Sequence, residues 1–109
     1  MRALVFDSSP VLRNDYPDPH PPAGESLIRV RAAGICGTDL ELAKGYMGFH
    51  GIAGHEFVGE VVADTGGALT GKRIAGEINS GCNHCDFCRA NLARHCPNRT
   101  VLGILERNG

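Results

Sequence analysis

The chain has 109 residues, enough for one domain that buries roughly two-thirds of its unfolded surface. Its formal net charge is −1 and its Lys and Arg residues are scattered, which argues against nucleic acid as a partner, because phosphate binding needs a concentrated positive surface. No apolar run approaches the roughly 20 residues of a membrane-spanning helix, and no charged-then-apolar leader follows Met1, so a cytoplasmic protein with no membrane partner is expected.

Abundant Gly and short β-branched runs point to a mainly β fold with tight turns. Arg2 to Asp7 reads as a first strand. Asn14 to Glu25 carries Pro17, Pro19, Pro21 and Pro22 and reads as an extended loop, because proline fixes φ and removes a donor. Ser26 to Ala33 alternates, with Ile28, Val30 and Ala32 on one face and Arg29 and Arg31 on the other, as a half-buried strand does. Thr38 to Lys44 reads as a short helix. Thr38 and Glu41 have capping-box spacing, and Gly45 stands where such a helix stops. Glu56 to Asp64 is apolar on nearly both faces and reads as an interior strand. Lys72 to Ile78 reads as another strand, and Val101 to Leu105 as the start of a further one. No repeat, low-complexity tract or linker interrupts the chain, and a compact antiparallel barrel is the expected fold.

Asn79 to Pro97 is too short and turn-rich to build a core of its own, so something other than hydrophobic burial must order it. The chain has five Cys, an odd number, which disfavours a disulfide framework. Four of them, Cys82, Cys85, Cys88 and Cys96, have the spacing C-x2-C-x2-C-x7-C. Thiolates are soft ligands, and four make a closed tetrahedral zinc site whose binding energy can order the lobe. An iron–sulfur cluster is the rival, because the spacing and Cys96-Pro97 resemble half of a bacterial ferredoxin pattern; that pattern, however, has x3 before its fourth Cys. His84 or His95 can replace a sulfur, but the four cysteines already fill a site.

A second constellation combines Gly-Ile-Cys-Gly-Thr-Asp, from Gly34 to Asp39, with Gly-His-Glu-x-x-Gly, from Gly54 to Gly59. Alone, Cys36 reads as a small buried hydrophobe and His55 as a satisfied core or surface group. Together with the Cys lobe, the two motifs resemble the amino-terminal, GroES-like domain of the zinc-containing medium-chain alcohol and polyol dehydrogenases, along essentially all of residues 1–109. The resemblance implies a partly open GroES-like β-barrel with short helices and a small zinc-binding lobe at residues 79–97. It implies catalytic zinc at Cys36 and His55, and structural zinc at Cys82, Cys85, Cys88 and Cys96. A mixed Cys/His site leaves zinc an open position and the Lewis acidity to hold an alcohol oxygen, which then gives a hydride to NAD or NADP.

The resemblance also assigns roles to three neighbours. Thr38 matches a hydroxyl that hydrogen-bonds the substrate oxygen; its other reading is a helix cap, and one hydroxyl can serve both. Asp39 matches a residue that supports the zinc-bound His; otherwise it is a first-turn acid favoured by the helix dipole. Glu56 matches a carboxylate beside the zinc that can transiently coordinate it; otherwise it is a solvated strand-end acid. The chain departs from the family at Leu40 and Glu41, where a proton-relay His is usual, at Thr65, where Gly or Ala is usual, and at Lys72, where Asp is usual.

The third catalytic-zinc ligand and the nucleotide-binding domain are not found, since no Gly-x-Gly-x-x-Gly follows a strand. The chain is therefore expected to be a fragment that holds structural zinc, binds catalytic zinc weakly and turns over no substrate alone. The whole protein is expected to oxidise a small-molecule alcohol or polyol as a homo-oligomer. Two other readings stay open: an iron–sulfur electron-carrier module, and a zinc-stabilised interaction domain without chemistry.

Overall fold

A computed structural model describes residues 1–109, the whole chain. It is mainly β, with three small sheets and short helical turns, and the sheets are not closed into a barrel. Strands β1 (Ala3–Phe6), β2 (Pro10–Arg13) and β4 (Gly51–Ile52) form one sheet in the order β2-β1-β4. Strands β3 (Ser26–Ala33), β5 (Phe57–Asp64) and β6 (Arg73–Ala75) form the second, in the order β3-β5-β6. Strands β7 (Asn79–Ser80) and β8 (Thr100–Val101) pair antiparallel and close the neck of the Cys lobe. Helix α1 is Gly37–Ala43 and helix α2 is Asp86–Arg89. No helix is long and apolar enough to cross a membrane.

The alternating and doubly apolar runs become the β3/β5 pair. β5 lies between β3 and β6, as its apolar character on both faces requires, and Val61 is its most buried side chain. β3 is an edge strand, and only its first half lies against other elements. Ile28 is partly buried, whereas Val30 and Ala32, expected on the covered face, are exposed. The small core comprises Ala3, Phe6, Leu42, Ile52, Val61, Cys96 and Val101.

Two boundaries differ from the sequence reading. The expected strand Lys72 to Ile78 stops at Ala75, and Asn79 begins a different pair. The expected strand from Val101 to Leu105 ends at Val101. Ile104 and Leu105 donate their N–H groups back to the Val101 carbonyl, and Gly103, at φ +62°, turns the chain. The strands β2 and β4 carry no sequence signal; they are short, and β2 is exposed throughout.

The β3/β5 register slips between Val30 and Ala32, and Gly59 sits opposite Val30 at that bulge. A Cβ on Gly59 would lie 2.7 Å from the Arg29 carbonyl oxygen and 2.5 Å from Ile28 Cγ2, so backbone as well as side chain would have to shift. Gly37, by contrast, faces open space. Gly59→Ala is therefore expected to destabilise the fold by about 1–3 kcal/mol. Gly37→Ala is expected to be neutral or stabilising by up to about 1 kcal/mol, because Ala is the better helix former. Urea unfolding of the two variants side by side measures the difference.

Candidate metal centres

The antiparallel register of β3 and β5 places Ala33 opposite Phe57. One step further along the same ladder, Gly34 donates its N–H to the Glu56 carbonyl at 2.8 Å. The chain leaving β3 and the chain arriving at β5 are thus pinned together at one end of the sheet. Cys36 follows the first by two residues, and His55 precedes Glu56 by one. Gly54, at φ +123°, supplies the bend that delivers His55, a conformation L side chains rarely adopt. A Cβ on Gly34 would lie 2.7 Å from Glu56 Oε2, so glycine there admits the Glu56 side chain.

Helix α1 then fixes the two side chains. Its N-cap is Cys36, not Thr38: the Cys36 sulfur accepts the Thr38 N–H at 3.2 Å, and Asp39 Oδ2 accepts the Cys36 N–H at 2.8 Å. The reciprocal cap expected for Thr38 and Glu41 is formed two residues earlier, by Cys36 and Asp39. Glu41 instead pairs with Lys44 Nζ at 2.7 Å. A sulfur in extended backbone at the N-cap reaches the free N–H of the first turn much as a hydroxyl does, which is why spacing alone favoured the threonine. The expected stop at Gly45 holds: its φ is +94° and its N–H donates to the Leu42 carbonyl.

Cys36 Sγ and His55 Nε2 lie 3.0 Å apart. His55 is buried, and its Nδ1 has no hydrogen-bond partner; Asp39 Oδ1 lies 3.5 Å away. That distance is ionic proximity rather than a hydrogen bond. One carboxylate therefore holds the Cys36 backbone with one oxygen and faces the far nitrogen of His55 with the other. Metal-bound His side chains characteristically find their second nitrogen opposite such an acceptor. Cys36, His55 and Asp39 offer ligand atoms within 4.8 Å of one another. A buried imidazole with an orphaned nitrogen, one thiol and a nearby carboxylate form a donor set suited to zinc.

Cys36 and His55 open on a cleft of about 600 Å³. Thr38 and Glu56 also line it, Thr38 partly buried and Glu56 exposed. So do Gly76, Glu77, Ile78, Asn79 and Ile104, to which the sequence reading gave no role. The lining by Gly76–Asn79 follows from the chain leaving the β6 ladder at Ala75, and the run of residue types carried no sign of that departure. Leu40 and Glu41, where the resemblance implies a relay His, are exposed and do not line the cleft.

The second cluster is built differently. The sulfurs of Cys82, Cys85, Cys88 and Cys96 lie within 4.8 Å of one another, and none is in a disulfide. Cys85 caps α2, Cys88 lies within it, and Cys96 is fully buried. Asn83 and Asn91 take left-handed conformations at φ 65° and 58°, which Asn tolerates better than most residues. A Cβ on Gly81 would lie 2.6 Å from Cys88 Sγ, so the thiols gather where the chain has no side chain. His84 donates from Nδ1 to the Cys82 carbonyl at 2.7 Å, and its ring is not one of the clustered ligand groups. The Cys82 thiol is drawn down to about 6, chiefly by the His84 backbone N–H, while burial pushes Cys88 up to about 11. Four thiolates gathered this closely repel one another, and a divalent cation between them would relieve that repulsion.

Residues 22–109 match the Alcohol dehydrogenase GroES-like domain. The chain is 43% identical over 88 residues to an L-threonine 3-dehydrogenase of Chelativorans sp. (strain BNC1), covering 72% of this chain and 25% of that protein. It is 40% identical, over a 121-residue alignment, to the L-threonine 3-dehydrogenase of Saccharopolyspora erythraea, covering 100% of this chain and 35% of that one. The alcohol dehydrogenase TADH from Thermus sp. ATN1 superposes with a TM-score of 0.83 at 30% identity, over 99% of this chain and 35% of that one. A candidate zinc-binding dehydrogenase from Sinorhizobium meliloti 1021, solved with NADP, superposes with a TM-score of 0.81 at 33% identity, over 99% of this chain and 33% of that one. The chain thus spans about a quarter to a third of the length of the curated relatives it matches. On these matches, and on a fold and thiol–imidazole arrangement in keeping with them, the chain belongs to the alcohol dehydrogenase GroES-like domain family.

Proposed function

We propose that residues 1–109 act as the catalytic GroES-like domain of a zinc-dependent, NAD(P)-linked alcohol or polyol dehydrogenase, with residues 79–97 as a structural-zinc lobe. The observation that carries this reading is the 3.0 Å approach of Cys36 Sγ to His55 Nε2 at the base of an open cleft, beside a separate and closed four-sulfur cluster. Zinc at the first site would be held by Cys36 and His55 and would supply Lewis acidity toward an alcohol oxygen for hydride transfer to a nicotinamide; Cys82, Cys85, Cys88 and Cys96 would hold the second ion. An iron–sulfur carrier is not favoured, because the matched relatives are an L-threonine 3-dehydrogenase, an alcohol dehydrogenase and a zinc-binding dehydrogenase.

The chain's own groups divide the remaining work. Asp39 orients the His55 ring through Nδ1 and, by holding the Cys36 N–H, keeps thiol and imidazole in one arrangement. Thr38 lines the cleft and donates its backbone N–H to the Cys36 sulfur, which leaves its hydroxyl to hydrogen-bond the substrate oxygen. Glu56, exposed at the cleft and packed over Gly34, provides a carboxylate that can exchange with a ligand. Ile78 and Ile104 give the cleft an apolar wall against which the carbon skeleton of a substrate is held out of water.

Metal assays on purified protein test the division into two sites. The protein is expected to be colourless and to hold about two zinc ions per chain when saturated, one per cluster. Cys36→Ser is expected to remove only the weaker ion, and Cys96→Ser to remove the tighter ion together with the fold of the lobe. A brown protein containing iron, or an unchanged zinc count in Cys36→Ser, contradicts the reading. Asp39→Asn can keep the Cys36 cap with its one oxygen but then turns an NH2 donor toward His55 Nδ1 in place of an acceptor, and is expected to lower affinity at the weaker site about 10–100-fold.

Acidity supplies an independent check. The folded Cys82 thiol titrates about 6 against an ordinary 9.0, so its ionised form stabilises the fold fully above the ordinary value, and this is lost as pH falls through about 6. Protons also compete with metal for thiolate. Zinc release from the lobe, followed with a chromophoric chelator, is therefore expected to steepen below about pH 6 and to be slight at neutral pH.

A further inference from the structure

The apolar wall of the cleft, Ile78 and Ile104, is not carried by the β3/β5 ladder that delivers Cys36 and His55. Ile78 directly precedes β7. Ile104 lies just past β8, and its N–H donates to the Val101 carbonyl at 3.0 Å. One bond joins these two extensions, from the Leu102 N–H to the Ile78 carbonyl at 3.0 Å. The wall is thus an outgrowth of the neck of the Cys lobe. A second cavity, of about 820 Å³, lies against the same strip of chain, and Ile78 and Asn79 line both. With space on each side, the wall has little packing to fix its position.

The neck is too short to fix it unaided. It consists of two residue pairs, Asn79 with Val101 and Ser80 with Thr100, and an isolated two-stranded ladder is marginal in water. The lobe holds its two strands together. As the chain leaves β7, a Cβ on Gly81 would lie 2.6 Å from Cys88 Sγ and 3.2 Å from the Ala93 Cβ. The Cys82 N–H reaches Cys96 Sγ at 3.4 Å, so the first and last cysteines of the cluster meet where the chain enters and leaves the lobe.

We propose that the four-sulfur lobe is a positioning element for the cleft. A metal gathered by Cys82, Cys85, Cys88 and Cys96 fixes the β7/β8 neck, and the neck fixes Ile78 and Ile104 opposite Cys36 and His55. The coupling rests on the reading of the lobe as a metal site, and it makes the shape of the cleft depend on an ion that does not touch it. Metal binding supplies the ordering energy, and the neck transmits it.

Amide hydrogen exchange during zinc titration of Cys36→Ser tests this, because in that variant zinc fills the lobe alone. On filling, the Leu102 and Ile104 amides are expected to slow at least about tenfold. Val61, which donates to the Lys72 carbonyl, and Ala53, which donates to the Leu4 carbonyl, are expected to change by less than about twofold. Two glycines inserted between Asn98 and Arg99 keep all four cysteines but lengthen the path from Cys96 to β8. That variant is expected to bind zinc yet lose most of the protection at Leu102 and Ile104. Zinc bound without slower exchange at these two amides overturns the coupling and leaves the metal assignment standing. Equal slowing at Val61 and Ala53, or undiminished protection in the insertion variant, also overturns it. No zinc bound by Cys36→Ser overturns both.

Discussion

The candidate site depends on one constraint, the antiparallel register of β3 against β5. Because Ala33 faces Phe57 and Gly34 bonds to Glu56, two segments nineteen residues apart must meet at the same end of the sheet. Cys36 and His55 are then set by very short extensions from a rigid ladder. A side chain carried two residues beyond a paired strand has little freedom to wander, which suits a centre whose groups must converge to within about half an ångström. Helix α1 completes the arrangement. Its capping carboxylate, Asp39, binds the backbone of one ligand and faces the ring of the other. A single acid thus joins a local rule of helix capping to a long-range rule of sheet pairing.

The two thiol-bearing sites differ in ways that follow from their surroundings. The lobe has four sulfurs, a fully buried Cys96, a glycine at Cys88 and a neck closed by β7 and β8, so a metal there would meet four sulfur donors. The other site has one thiol, one imidazole and an open cleft. Four thiolates carry enough negative charge to blunt Lewis acidity, whereas a mixed, incompletely filled set preserves it. The lobe also lacks the apolar burial needed to order itself. Only Cys96 within it is fully buried, and the molecule as a whole has a small core. On the proposed reading, metal binding would be a folding energy for one site and a chemical property for the other.

Much of this was legible in the residues. β3 was read over its full extent, because Arg29 and Arg31 alternate with Ile28, Val30 and Ala32 as strand geometry demands. The four-sulfur lobe was legible because metal geometry tolerates few spacings. What escaped was set by tertiary context. The exposure of Val30 depends on what lies over an edge strand, which periodicity does not encode. The N-cap at Cys36 escaped because a hydroxyl two residues later fitted the same pattern. The cleft wall at Glu77 to Asn79 escaped because nothing in the run Lys72 to Ile78 marks where pairing stops. That departure follows from Glu77 folding back to accept two bonds from Asn79, a contact between neighbours that no hydrophobic pattern announces.

The central claim is that the chain builds two chemically unlike metal centres, one from four sulfurs and one from Cys36 with His55. Cadmium-113 NMR of the cadmium-substituted protein tests it most directly, because the resonance position reports the number of sulfur ligands. Two resonances are expected: one in the region of four-thiolate sites, and one well upfield with mixed sulfur and nitrogen coordination, the latter alone coupled to the ring protons of His55. A single four-thiolate resonance at full loading, with His55 unaffected, would contradict it.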